Sequence, residues 1–423
     1  MKFSNIAILL CSSYGTTAFS FSPTNNAKTL FSSFSTKTKT TSGTQLFYVR
    51  DETITPAGLK KEILPSSTKN TDHPLNKQKG NTDKISYDAI QDLIDVSRPY
   101  YNLKDEAIIS DSTTGAFNGF VATVTPEMPL SYESGTMTAA EAGRHTAIAG
   151  SVAAALLNQE AGTEGKHYYL ALDANLRQEP VDPKVIDSFD NLAPPTKKGD
   201  AKIFAYTTEV NKRDATSEVY LLTDDKTMWH ITVTYKIIPF KVFDRFFPLS
   251  VDPSETGPWD PITTQNPYLK EVSTFITPQP SAHWNDPNVY KCKSHLPQTV
   301  PSMCAGHFDT NPCFPVAFMC SHLFNIGAES VAELSGVSLP YTKRNKESVS
   351  NVSERKSVTI KDLVLDAQTL CMAGTYGLDV DCTTKYNPNH KDGPVYETIL
   401  KATSDCAEKH DVATVKVTYA LNE

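Results

Sequence analysis

GHFDTNPCFPVAFMCSHLFNIGAESVAEL, residues 306–334, opens with a histidine in a Gly- and Pro-bounded loop and runs straight into an apolar segment of helical length. A reactive side chain at the start of a buried helix stands where free backbone N–H groups and the helix dipole can act on a substrate oxygen. The stretch has a counterpart in the same chain. RHTAIAGSVAAALL (144–157) sets beside SHLFNIGAESVAEL (321–334), each with a His and a Gly five residues later. LALDAN (170–175) sets beside LVLDAQ (363–368), and ITVTYK (231–236) beside VKVTYA (415–420). Three weak matches in one order mark an internal repeat.

Each copy predicts an early extended segment (119–124; 289–296), then an apolar helix, then long alternating strands. In the first copy the strands fall at 168–177, 201–210, 217–222 and 228–238, and in the second at 359–370, 377–385, 395–402 and 413–421. Period-two alternation, as in Trp229-His230-Ile231-Thr232-Val233, marks a sheet with one buried face. A helix apolar nearly all round, one per antiparallel sheet, must be wrapped by that sheet. The Pro-rich segment 239–287 reads as a crossover that cannot continue a sheet, and the polar stretch 341–356 as an inserted loop.

The totals bound the function. A chain of 423 residues exceeds one ordinary core. Its net charge of −8 is dispersed, with no basic, aromatic-studded surface, which argues against a nucleic-acid partner. The eight cysteines form no CxxC pair and read as reduced, mostly buried thiols. Cys304, His307 and Cys313 lack the spacing and the fourth ligand of a common zinc site, so no metal and no cofactor are expected.

Residues 1–50 contain no Asp or Glu. Lys2 precedes a short apolar run, 6–11, too short to span a bilayer and suited to a signal-peptide core. A Thr17-Ala18-Phe19 break then leads into an acid-free Ser/Thr/Lys stretch. The order resembles the two-part presequence of algae with complex plastids and implies a plastid location, the alternative being a secreted protein. No membrane span is expected in the mature chain. Residues 51–111 read as a linker with one short helix at 85–96, capped by Ser86 and carrying no chemistry.

A helix sheathed by a curved antiparallel sheet is the hot-dog arrangement, and two units in one chain make a double hot dog, an α+β fold with two sheets. The expected layout is a first repeat at 112–240, a crossover at 241–287 and a second repeat at 288–423. GHFDTNPCFPVAF then resembles the GHF loop and helix start of the 3-hydroxyacyl thioester dehydratases. His307, Phe308, Asn311, Pro312 and Pro315 fall in register over about twenty residues, and Gly327 matches a helix glycine. The resemblance implies an acyl substrate on acyl carrier protein or CoA, with a second copy of the chain left open as a partner. It makes His307 the base that takes the α-proton, and the amide of Val316 the donor to the thioester carbonyl. The family's helix acid, which protonates the departing 3-hydroxyl, falls on Ser321 here and on Arg144 in the first copy; the first copy has Leu130 in place of the loop histidine.

One complete site per chain is therefore the most the sequence allows. The carboxylate owed to His307 is expected from the first helix, where Glu141 shares a face with Arg144 and His145. Glu141 is equally placed to cap that helix. Asp309 is a second carboxylate, able to orient the imidazole or activate water and also suited to a plain turn. His145 and His322 occupy equivalent helix positions, as buried core histidines or as groups facing each other, with Ser321 and Asn325 as supporting residues. The expected reaction is dehydration or hydration of an acyl thioester, with thioester hydrolysis or acyl transfer, or an acyl-binding module without chemistry, as the alternatives. Fold alone does not choose among them.

Overall fold

The computed structural model describes residues 80–114, 116–162, 165–179, 181, 197–246, 265–270, 274–279, 286–308, 311–339, 356–371 and 373–422. The expected presequence at 1–50, the linker up to 79 and all but the last residue of the insertion at 341–356 lie outside the described residues. The first half runs β1 (Gly80–Lys84), α1 (Tyr87–Ile94), β2 (Leu103–Asp111), β3 (Phe117–Val124), α2 (Ala139–Glu160), β4 (His167–Glu179), β5 (Ala201–Val210), β6 (Asp214–Leu222) and β7 (Met228–Pro239). The second runs α3 (Phe240–Phe246), β8 (Thr277–Pro278), β9 (Val289–Leu296), α4 (Val316–Ser335), β10 (Ser357–Ala367), β11 (Leu378–Asn387), β12 (Val395–Ser404) and β13 (Asp411–Asn422).

Two separate sheets were expected, and the strands form one. Its order is β1-β2-β3-β5-β6-β7-β4-β10-β13-β12-β11-β9-β8, antiparallel throughout. Read outward from the β4–β10 seam, the two halves have matching orders, 4-7-6-5-3 and 10-13-12-11-9. The seam explains the correction. Left apart, β4 and β10 would each present a row of unpaired backbone groups, and pairing them removes both edges. Asp173 of LALDAN faces its counterpart Asp366 of LVLDAQ across the seam, as a local two-fold axis requires.

Each helix lies against its own half-sheet, and in α2 small residues let the strands close on it. Ala139, Ala140, Ala142, Ala149, Ala153, Ala154 and Ala155 of α2 are all buried. A tyrosine from the sheet completes the packing in both halves. Tyr235 on β7 donates to the carbonyl of Ala147 at 2.6 Å, and Tyr419 on β13 donates to that of Phe324 at 3.0 Å. A Cβ on Gly150 would fall 2.5 Å from the Tyr235 hydroxyl, and one on Gly327 would fall 2.3 Å from that of Tyr419. The paired His–x4–Gly and Thr-Tyr motifs of the sequence are thus two sides of one contact.

The segment before the first repeat is more structured than its composition suggested. β1 and β2 extend the sheet, and Ser86 caps α1 by accepting from the amide of Ala89 at 3.3 Å. The crossover also contributes a strand, since Thr277–Pro278 pairs at the sheet's edge with β9, where proline is tolerated. No described helix is long and apolar enough to cross a membrane.

Candidate active site

A cavity of about 110 Å³ lies between α2 and α4 and is floored by β4, β7 and β10. Its walls are chiefly Ile148, Leu170, Leu176, Ile231, Leu363 and Leu365. His307, Phe308, Val316 and Ala317 line it as well, so the GHF loop and the start of α4 meet there.

The loop is held from three sides. Gly306 has a φ of +80, and a Cβ there would lie 2.2 Å from the carbonyl oxygen of Ser97, so only glycine fits. Its carbonyl accepts from the amide of Ser97 at 2.8 Å, and Val96 forms an isolated β-bridge with His307. Downstream, the amide of Phe314 donates to Cys371 at 2.7 Å. Phe308 adopts a left-handed φ of +58, unusual for so bulky a side chain and a cost of about 1–3 kcal/mol. Its buried ring is fixed against Tyr168, with centroids 4.8 Å apart, and stacked on His307 at 4.3 Å.

The His307 Nδ1 lies 3.0 Å from the carbonyl oxygen of Cys313. A carbonyl only accepts, so Nδ1 carries the proton and Nε2 is the lone-pair nitrogen available to a substrate. Enclosure by protein pushes the His307 pKa down to about 4. The imidazole is therefore neutral, as a base must be, through the physiological range. Thiols are poor rivals as nucleophiles: burial raises Cys320, on the cavity wall, to about 12 and Cys313 well above its usual value.

The two helix starts differ. In the first half Thr138 caps α2 by accepting from the amide of Glu141 at 3.1 Å, and Glu133 accepts from that of Ala139 at 2.8 Å. In the second half the cap position is Pro315, which supplies no side-chain bond, so the amides of Val316 and Ala317 begin the helix uncapped beside His307. The first half thus has Leu130 and a closed helix start, while the second has a histidine and an open one. That pairing of base and free donors is the arrangement acyl-transfer chemistry uses.

Of the residues singled out from the sequence, His307 and Val316 come together at the cavity. Glu141 does not line it. The Glu141 carboxylate accepts from the amides of Glu127 and, at 3.0 Å, Met128, which ties the preceding loop to α2. His145 lies 3.7 Å from Glu141, within ion-pair range but too far for a hydrogen bond, and burial lowers its pKa. His322 packs edge-on against Phe318 and Phe314 away from the cavity, and burial lowers it to about 4. Asn325 donates to Ser131 at 3.3 Å and joins α4 to the first half, and Ser321 is half-buried outside the cavity lining. Asp309 lies outside the described residues.

Sequence reasoning placed Arg144 only where the family's acid falls and missed both its contacts and Tyr100. Arg144 is 1% exposed and spends its guanidinium on the carbonyls of Tyr100 (2.8 Å) and Pro99 (2.6 Å) and on Glu127 (2.7 Å). It also lies over the rings of Tyr100 and Tyr268, at 5.1 and 4.7 Å. The segment after α1, assigned no chemistry from its pattern, is thereby clamped against the GHF loop, and Tyr100 becomes part of the cavity wall. The available signal was Arg144 itself, a charge inside an apolar helix, which must find partners.

No family profile and no curated protein matches the chain. Solved structures align over most of its length at low identity. An acyl-CoA thioesterase II, TesB2, from Mycobacterium marinum is 8% identical over 71% of this chain and 91% of its own, with a TM-score of 0.33. The 12:0-ACP thioesterase of Umbellularia californica is 10% identical over 72% and 94%, TM-score 0.34. A hot-dog protein of unknown function from Alicyclobacillus acidocaldarius is 9% identical over 80% and 99%, TM-score 0.34. The assignment of a hot-dog fold rests on the chain's own helices and sheet.

Proposed function

We propose that the protein hydrolyses acyl thioesters, carried on CoA or acyl carrier protein, with His307 as general base. Water attacks the thioester carbonyl as Nε2 takes its proton, and the amides of Val316 and Ala317 hold the resulting oxyanion. Collapse breaks the C–S bond, and the proton on Nε2 passes to the departing thiolate. The acyl chain occupies the apolar cavity.

One observation carries the choice of hydrolysis over dehydration. Where the resemblance puts the acid of the first helix, this chain has Arg144, fully engaged with Tyr100, Pro99 and Glu127, and no carboxylate lines the cavity among the described residues. Dehydration expels hydroxide, which needs a proton in the transition state. A thiol of pKa about 8.5 leaves as thiolate without that help. The loss of the acid thus removes one reaction and spares the other. The GHF loop register keeps dehydration as the second reading.

Parallel assays separate them. On a medium-chain acyl-CoA and a 3-hydroxyacyl-CoA of equal length, the hydrolase releases free thiol from both and forms no enoyl product. Enoyl formation without thiol release supports the second reading. Binding of both substrates with neither product leaves an acyl-binding module. The acid-free front end supports plastid delivery, a proposal refuted if a fluorescent fusion of residues 1–50 is secreted or stays in the cytosol.

A further inference from the structure

The hydroxyl of Tyr100 is the outstanding group in this cavity. The other hydroxyls on the wall have partners in the protein: Tyr235 donates to Ala147 at 2.6 Å, Ser151 to Ile148 at 2.8 Å, and Tyr169 accepts from Asn158 at 3.1 Å. Tyr100 lines the same cavity; its hydroxyl is not among the buried polar atoms without a partner, and no hydrogen bond between described residues uses it, so the oxygen is open to the cavity. A hydroxyl that faces a cavity and is not engaged by the protein is available to a ligand there.

The residue is also held with unusual care. Its ring stands edge-on to His307 with centroids 4.7 Å apart and packs against Tyr268 at 5.3 Å. Arg144 grips its carbonyl and covers its ring, and the next amide, Tyr101, donates back to Ser97 at 2.8 Å. Ser97 in turn binds Gly306, next to His307. A phenol fixed beside the base, with its oxygen facing the cavity, has the features of a preorganised donor.

We propose that Tyr100 is a catalytic residue, its O–H donating to the substrate's carbonyl oxygen and strengthening that bond as the oxyanion forms. Arg144 is then a positioning residue that acts through Tyr100. Burial raises the phenol's pKa, so it stays protonated throughout the working range. The inference rests on the hydrolase reading and adds to it a third donor, contributed by the segment ahead of the repeats.

The test is Tyr100→Phe in the full chain, which keeps the ring contacts and removes only the oxygen. On medium-chain acyl-CoA the variant should lose about 10²- to 10³-fold in kcat with KM changed less than about threefold. A methyl-ketone analogue of the substrate provides a second readout: its bound carbonyl stretch should lie at higher frequency in the variant than in wild type. Wild-type activity abolished by His307→Ala, but with kcat and carbonyl stretch unchanged in Tyr100→Phe, overturns the role of Tyr100 alone. A wild-type protein that releases no thiol overturns the hydrolase reading and this inference together. If the variant does not fold, 3-fluorotyrosine introduced at Tyr100 alone supports the role when its fluorine resonance shifts on binding the ketone and overturns it when it does not.

Discussion

Arg144 of α2 donates through Nε to the carbonyl oxygen of Tyr100 at 2.8 Å, from a helix position where the second repeat has Ser321. The contact joins the segment ahead of the repeats to the helix that forms one wall of the cavity. Three acceptors share one fully buried guanidinium, so removing it strands all three.

Arg144→Met, close in volume but uncharged, should therefore lower the free energy of unfolding by roughly 3–5 kcal/mol. Denaturant titration checks this, and a loss below about 1 kcal/mol would show that the clamp is incidental. Activity should fall further than stability accounts for at temperatures where the variant remains folded, because Tyr100 is released from His307.

The helix glycines make a sharper claim about packing. Gly327→Ala sets a methyl group 2.3 Å from the Tyr419 hydroxyl and should cost about 1–3 kcal/mol through overpacking. Tyr419→Phe removes the nearest obstructing atom and leaves the ring carbon at 2.9 Å, so the double variant should be more stable than the sum of the single losses predicts while still below Tyr419→Phe alone. Additive losses in thermal or denaturant unfolding would mean that the glycine is there for another reason.

Acid should weaken the fold through its buried histidines. His322 has both ring nitrogens buried without hydrogen bonds to the described residues and a pKa lowered to about 4 in the folded state, against about 6.5 unfolded. The unfolded chain binds the proton more readily, so this contribution is whole above pH 6.5 and is lost as pH falls toward 4 and below. Its full size is on the order of 3 kcal/mol. Glu133 works the other way: burial raises it to about 8, so it loses stability as pH rises from 4.5 toward 8. The measurement is accordingly a difference, in which His322→Leu should show a flatter fall in stability between pH 6.5 and 4 than wild type. Parallel curves would contradict the assignment.

Much of the architecture was legible in the residues. The strands of both repeats, the two apolar helices and the free thiols fall where periodicity and composition put them. The joining of the half-sheets was hidden because LALDAN and LVLDAQ read as strands whatever their neighbours, and strand partners are set by tertiary geometry. That His307 and Val316 would lie together was legible because a loop histidine and a helix start are local signals. Glu141 was expected to complete the site from its helical face, but the face says nothing about which carboxylate oxygen meets which amide, and those of Glu127 and Met128 claim it. Tyr100 was out of reach, because its placement depends on a contact with Arg144 across 44 residues.

The central claim, that His307 is the base for thioester hydrolysis, is tested most directly by thiol release from a medium-chain acyl-CoA. Wild type and His307→Ala should be compared at pH 7.5, where the neutral imidazole of the folded protein is fully available. The account predicts turnover by wild type and a loss of about 10²- to 10⁴-fold in kcat for the variant, with its unfolding midpoint little changed. Equal rates from the two proteins would contradict it.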